Sequence, residues 1–199
     1  MSKNNGKLGF YLGFDVGTNF VRAVAIDRND GNLLGSTEFP LKIRNPRPNF
    51  YEQSSDQIWS AICQAVRKLL TEYNLENKNI RGIGFDATCS LVVLDTIGCS
   101  INLNSKELEK LDESQNDLKW NVIMWMDHRA AKEAAFINSA VDKVDLDRVG
   151  GTMSLEMQPP KILWLKKNDP DTYHNAGYFM DLTDYLTFKA TGSSRRWVS

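Results

Sequence analysis

The stretch YLGFDVGTNFVRAVAID, Tyr11 to Asp27, constrains the fold more than any other. Apolar, β-branched and aromatic runs flank a polar block, DVGTN, and the whole reads as two strands joined by a tight turn. That block admits two readings. One is a plain hairpin with a structural Asp. The other is a phosphate site. An acid-Gly-Thr turn between neighbouring strands forms a small nest of backbone N–H groups, and glycine lets a ligand approach closely. Thr18, Asn19 and Arg22 add short or charged donors beside Gly17. Asp15 would by itself repel phosphate. It fits the second reading beside a cation, most simply Mg²⁺ held through water. Spacing alone does not separate the two, because D-x-G-T is short. No G-x-x-x-x-G-K-[ST] and no strand-following G-x-G-x-x-G occurs, which disfavours Walker-type and Rossmann folds.

The same periodicities organise the rest of the chain. Leu8 to Asp15, Phe20 to Asp27 and Leu33 to Phe39 read as strands, the last two separated by the turn sequence NDGN. RNPRPNFYEQ reads as a loop, because two prolines in near succession oppose regular pairing. A helix is expected from Ser54 or Ser55. Ile58, Trp59, Ile62, Val66, Leu69, Leu70 and Tyr73 then recur on one face. Ile80 to Phe85 suits a buried parallel strand. The expectation is an α/β fold with a mixed sheet and a β-β-β-α-β start. LVVLD and WNVIMWMDHR read as further strands, and 100–119 as a loop or insertion. AAKEAAFINSAV reads as a helix, PPKILWLKKND as a helix opened by its prolines, GYFMD as a strand and LTDYLTFKATG as a helix ended by Gly192. Residues 1–7 read as a flexible N-terminus.

Composition excludes several classes. The net charge of -1 argues against a nucleic-acid or polybasic membrane surface. The 3 cysteines, Cys63, Cys89 and Cys99, form no C-x-x-C, which argues against a disulfide framework or zinc site and for a reducing compartment. MSKNNGK has no apolar h-region, and no stretch approaches the roughly 20 apolar residues of a membrane span. A cytoplasmic location is expected.

GFDVGTNFVRAVAIDRNDGNLL resembles the first phosphate motif of the actin-like ATPase superfamily, whose nucleotide-binding domain is ribonuclease H-like. GIGFDATCSLVVLD and WMDHRA resemble the FGGY carbohydrate kinases, and within them the D-ribulokinase-like, pentulose-phosphorylating branch. The resemblance covers about Leu8 to Gly192. It implies ATP and Mg²⁺ as cofactors and a small ketose, D-ribulose first, as substrate. It places Asp15, Gly17, Thr18, Asn19 and Arg22 at the ATP phosphates, with Asp15 holding Mg²⁺ through water.

The resemblance also places Asp86, Thr88, Cys89 and Ser90 at the sugar, with Trp125 and Asp127 near it. Glu156 stands at a further sugar contact, just before a helix. Polar groups ending a buried strand need partners, and a polyol supplies them. Local capping by Asp86 remains open, as does a helix-terminus role for Glu156. Cys89 reads as a close-fitting wall and His128 as a structural hydrogen-bonding residue.

Members of the family are more than twice this length, with two actin-like domains around a cleft. Their general-base Asp, second phosphate motif, adenosine site and FGGY signature would fall beyond Ser199. The expectation is therefore an incomplete N-terminal domain, 8–199, with half an active site and no turnover by itself. A second reading is a non-catalytic truncated form that binds sugar weakly or associates with a full-length subunit. An apolar face is expected to be exposed near GYFMD and the last helix.

Overall fold

A computed structural model describes residues 9–103 and 118–195. The expectations for residues 1–7 and for most of 100–119 lie outside the described residues. The chain divides into two compact units, one of residues 1–41 and 57–87, the other of residues 42–56 and 88–199.

The first unit is built on a four-stranded mixed sheet. Its strands are β1 (Phe10–Val16), β2 (Phe20–Asp27), β3 (Leu33–Pro40) and β5 (Ile80–Ala87), in the order β3-β2-β1-β5. β1 and β2 form the expected hairpin, β2 and β3 pair antiparallel, and β5 pairs parallel to β1. One sheet face is apolar: Phe10, Leu12, Phe14 and Val16 of β1 and Val21, Ala23 and Ala25 of β2 are buried. Helix α1 (Ser55–Glu72) begins at one of the two expected serines, and its Ile58, Ala61, Ile62, Ala65 and Leu69 are buried. Thr37 Oγ1 donates to Ala65 O at 3.0 Å and pins β3 to the helix. Gly35 is required here. A Cβ at that position would stand 2.4 Å from the Tyr73 ring.

The second unit has its own four-stranded antiparallel sheet. Its strands are β4 (Glu52–Gln53), β6 (Leu91–Leu94), β7 (Val122–Ile123) and β8 (Tyr178–Asp181), in the order β4-β7-β6-β8. The strand expected over WNVIMWMDHR is only two residues long, because Met124 and Asp127 turn the chain away. The proline-rich segment is not all loop. It ends in β4, after an isolated bridge between Arg44 and Glu52.

Helices α2 (Ala131–Ala140), α3 (Lys143–Asp147), α4 (Gln158–Asn168), α5 (Pro170–Asn175) and α6 (Leu182–Thr191) complete this unit. Prolines open α4, and Gly192 ends α6 at φ 69°. Phe50, Leu91, Val93, Leu103, Ile123, Ala130, Trp164 and Leu165 form the core. The expected exposed face near GYFMD is not there: Met180 is buried, and Phe179 stacks on Tyr173 at 5.8 Å. Fixed partners within the unit explain this. Exposed apolar side chains occur instead at Tyr11, Leu33 and Ile83 of the first unit and at Ile97, Phe136 and Val144 of the second. No helix among the described residues is long and apolar enough to cross a membrane.

Candidate functional site

In the first unit, strand register lays charged side chains in a row across the sheet. Glu38, Arg22, Asp15 and Asp86 are successive cross-strand neighbours on β3, β2, β1 and β5. Period-two alternation puts them on the face opposite the apolar row. Arg22 Nη1 donates to Asp15 Oδ2 at 3.0 Å, and its Nε lies 3.7 Å from Glu38 Oε2. All are exposed, so solvent screens these pairs. Asp86 therefore stands beside Asp15, in the first unit, at the end of the neighbouring parallel strand.

The β1–β2 turn is closed by the Gly17 N–H on Phe20 O at 3.0 Å, so that amide is not one a phosphate would use. A Cβ at Gly17 would meet nothing nearer than Phe20 O, at 3.6 Å. The turn itself does not demand glycine. The bare backbone leaves room beside it. Asn19 is exposed and Thr18 half-buried.

In the second unit, Cys89, Glu156, Gln158 and Asp181 line one cavity of about 590 Å³ together with Met153, Met157 and Ile162. Most of its wall is apolar, as suits the C–H faces of a small organic ligand. Thr88 and Ser90 sit in the same turn as Cys89. The Ser90 hydroxyl is fully buried, accepts from the Trp125 N–H at 3.2 Å and lies 3.3 Å from Thr88 Oγ1. Ser90 thus ties the 88–90 turn to Trp125 from behind. Glu156 is half-exposed, and its Oε1 lies 3.8 Å from His128 Nε2. The sequence-based set divides accordingly. Thr88, Cys89, Ser90, Trp125, Asp127 and Glu156 fall in the second unit, whereas Asp86 falls in the first.

Asp127 faces inward. It is fully buried, and its two oxygens accept from Arg129 Nε (2.8 and 2.9 Å), Arg129 Nη2 (2.6 Å), Arg129 N (3.0 Å) and Tyr51 N (2.7 Å). A carboxylate has about four lone-pair directions, and these donors fill them. Asp127 therefore holds the loop rather than offering an acceptor to a ligand. Arg129 also donates to Glu52 Oε1 at 2.8 Å, and Glu52 Oε2 accepts from Arg44 through Nε at 2.9 Å and through Nη2. The Arg129 guanidinium lies 4.1 Å from the Phe50 ring centroid and 5.1 Å from that of Trp164. Burial works against its charge, but Asp127 and Glu52 outweigh burial and hold its pKa above the ordinary value.

One residue that carries the site was not found in the sequence. Lys161 of α4 is fully buried, and its Nζ donates to Met124 O at 2.7 Å, Glu156 O at 2.8 Å and Trp125 O at 3.3 Å. Burial pulls its pKa from 10.5 down to about 8, against the attraction of Asp127. The only sequence signal was a lysine on the apolar side of PPKILWL, between positions that pack. Asn121 was missed as well. Its Nδ2 donates to Ser55 Oγ at 3.0 Å and Val93 O at 2.9 Å, and its Oδ1 accepts from Ser55 N at 3.0 Å. Among the described residues no group of three or more His, Cys, Asp or Glu could hold a metal ion.

Residues 10–196 match the family model for the FGGY family of carbohydrate kinases, N-terminal domain. A Xenopus laevis FGGY carbohydrate kinase domain-containing protein is 45% identical over 197 residues, which are 98% of this chain and 34% of the relative. A Saccharomyces cerevisiae protein named D-ribulokinase is 45% identical over 196 residues, 98% of this chain and 26% of its own length. The crystal structure of a Brucella ovis "xyloylose kinase" superposes with a TM-score of 0.72 at 25% identity, covering 90% of this chain and 34% of that one. The chain thus spans between about a quarter and a third of these relatives.

Proposed function

Since the chain belongs to the FGGY family of carbohydrate kinases, we propose that it supplies the ketose-holding wall and the first phosphate loop of an ATP-dependent pentulose kinase. The observation that carries this reading is the convergence of Cys89 and Glu156 on one cavity of the second unit, with Lys161 joining the Trp125 and Glu156 backbones beneath. D-ribulose is the proposed substrate, supported by the name and 45% identity of the yeast relative. Cys89 and Thr88 shape the wall, the Trp125 indole packs on sugar C–H groups, and Glu156 accepts from a hydroxyl. Ser90 and Asp127 hold these residues in place.

The phosphate end is assigned to Asp15, Gly17, Thr18, Asn19 and Arg22. The exposed Asp15 and Asp86 carboxylates, side by side on parallel strands, are hard oxygen donors of the kind a hydrated Mg²⁺ takes, keeping most of its waters. The residues present therefore fit the group, and Mg²⁺ would supply charge neutralisation at the phosphates. Arg22 adds a cation that exchanges Asp15 for a phosphate oxygen at little cost, because its present pairs are exposed. Transfer of the γ-phosphoryl group to a ketose hydroxyl requires a base for the hydroxyl proton. We assign that base, the remaining phosphate contacts and the adenosine site to segments outside these 199 residues, and place the enzyme in the cytoplasm. The 199 residues alone are then expected to bind ketose without turning over ATP.

An ATP-coupled assay with D-ribulose, together with calorimetric titration of D-ribulose, L-ribulose and D-xylulose, tests both statements. Binding of D-ribulose without turnover is expected. Turnover by this chain would overturn the inactivity, and failure to prefer D-ribulose would overturn the substrate.

A further inference from the structure

Lys161 is an unusual cation. It is fully buried, and no carboxylate lies within ion-pair distance of it among the described residues. All three ammonium protons go to main-chain carbonyls. Those carbonyls belong to two separate segments. Met124 and Trp125 directly follow β7, and Glu156 precedes α4. Both segments carry residues assigned to the ketose. A lysine serving only to fill the core would be replaced at lower cost by methionine or leucine, because a buried charge must be desolvated. The arrangement makes sense where three carbonyls, pointed at one spot, have no other donor.

We propose that Lys161 is the positioning residue of the ketose site, a protonated clamp whose three hydrogen bonds hold the Trp125 and Glu156 segments together. The proposal rests on the assignment of the cavity to a ketose, but the clamp can be tested without sugar. Its chemistry sets a pH limit. The ammonium has three donors for three carbonyls. The neutral amine has two and a lone pair, which would face a carbonyl oxygen. The groups facing Lys161 are Asp127, Cys89, Arg129 and Glu156. Of these, Asp127 and Arg129 are paired with each other.

With the Lys161 pKa lowered to about 8, the clamp is complete below that pH and loses a donor above it. Folding stability moves the other way. Between about pH 8 and 10.5 the unfolded chain binds more protons at Lys161 than the folded one, so this residue's contribution to stability rises with pH. An opening that frees Lys161 into water obeys the same linkage, because desolvation outweighs the lost donor, so protection of the segments it holds rises with pH in that window.

The experiment is residue-resolved hydrogen exchange on the 199-residue chain, corrected for intrinsic rates, from pH 6.5 to 9.5, with D-ribulose affinity measured in parallel. The reporters are the amides of Trp125, bonded to Ser90, Asp127, bonded to Met124 O, and Met157, bonded to Ser154 O. In the wild type these amides are expected to gain protection above about pH 8, because an opening that frees Lys161 restores its ordinary pKa. The Lys161→Met variant is expected to show lower protection at every pH and no such step, with ketose affinity down at least about tenfold, as expected for unmade buried hydrogen bonds. Cys89→Ser is expected to keep the pH step, whatever its own affinity.

Unchanged protection at the three amides in Lys161→Met, or a wild type with no step, would overturn the proposal. If that variant fails to fold, the wild-type profile alone decides. Local loss of protection in Lys161→Met, with no ketose binding at any pH, would support the clamp and count against the ketose reading.

Discussion

The two units treat charge in opposite ways. In the first, Glu38, Arg22, Asp15 and Asp86 stand in an exposed row, loosely paired and open to water. In the second, Arg44, Glu52, Arg129 and Asp127 form a dry network in which the carboxylates of Asp127 and Glu52 are occupied by arginines and two backbone amides. Exposed pairs contribute little to stability and can be exchanged for a ligand's charges. Buried pairs are rigid, and losing one partner leaves an uncompensated charge. The contrast suits the two proposed tasks: a surface that must accept phosphates and a cation, and a wall that must keep a fixed shape against a neutral polyol.

Substitutions can break this comparison. The largest effect is expected for Arg129→Met, which strands Asp127 and Glu52. It should cost about 3–5 kcal/mol in chemical denaturation of the second unit. A cost near zero would mean that the network is not dry. Asn121→Ala comes next. It removes a buried amide that joins Ser55 to Val93 and should cost about 1–3 kcal/mol by the same measurement.

Glu156→Gln keeps the shape of the wall and should leave denaturation midpoints unchanged while ketose affinity in calorimetry falls about tenfold, the scale of one charge-assisted hydrogen bond. Arg22→Ala should change stability by no more than about 0.5 kcal/mol, because its pairs are exposed. The same variant should weaken binding of Mg²⁺-ATP in calorimetry. A stability loss as large as that of Arg129→Met would erase the distinction between the units.

The sequence showed the first unit more clearly than the second. Hairpin β1–β2, strand β3, helix α1 and strand β5 follow from alternation and period 3.6, because each pattern lies within one contiguous stretch. The helices opened by Pro159 and Pro160 and ended by Gly192 were equally plain, since their caps are local. The second sheet was read in part: β6 and β8 were expected strands and β7 was expected too long, whereas β4 was missed, because it exists through pairing with β7 across about seventy residues, which no local pattern records. The short helices α3 and α5 carry too few turns to show a period.

The site was partly legible. Cys89, Trp125 and Glu156 of the proposed ketose wall were singled out by residue type and resemblance. The inward turn of Asp127 and the burial of Lys161 depend on partners far away in the chain. Asp86 was read with the residues that follow it, and strand register, invisible in the sequence, also sets it beside Asp15.

The most direct test of the central claim is a crystal structure of the 199-residue chain grown with saturating D-ribulose. The account expects the ketose in the cavity of the second unit, with a hydroxyl on Glu156, a carbon face against Cys89 and Ile162, and Asp127 still held by Arg129. A cavity filled only by water, or a ketose bound elsewhere, would contradict it.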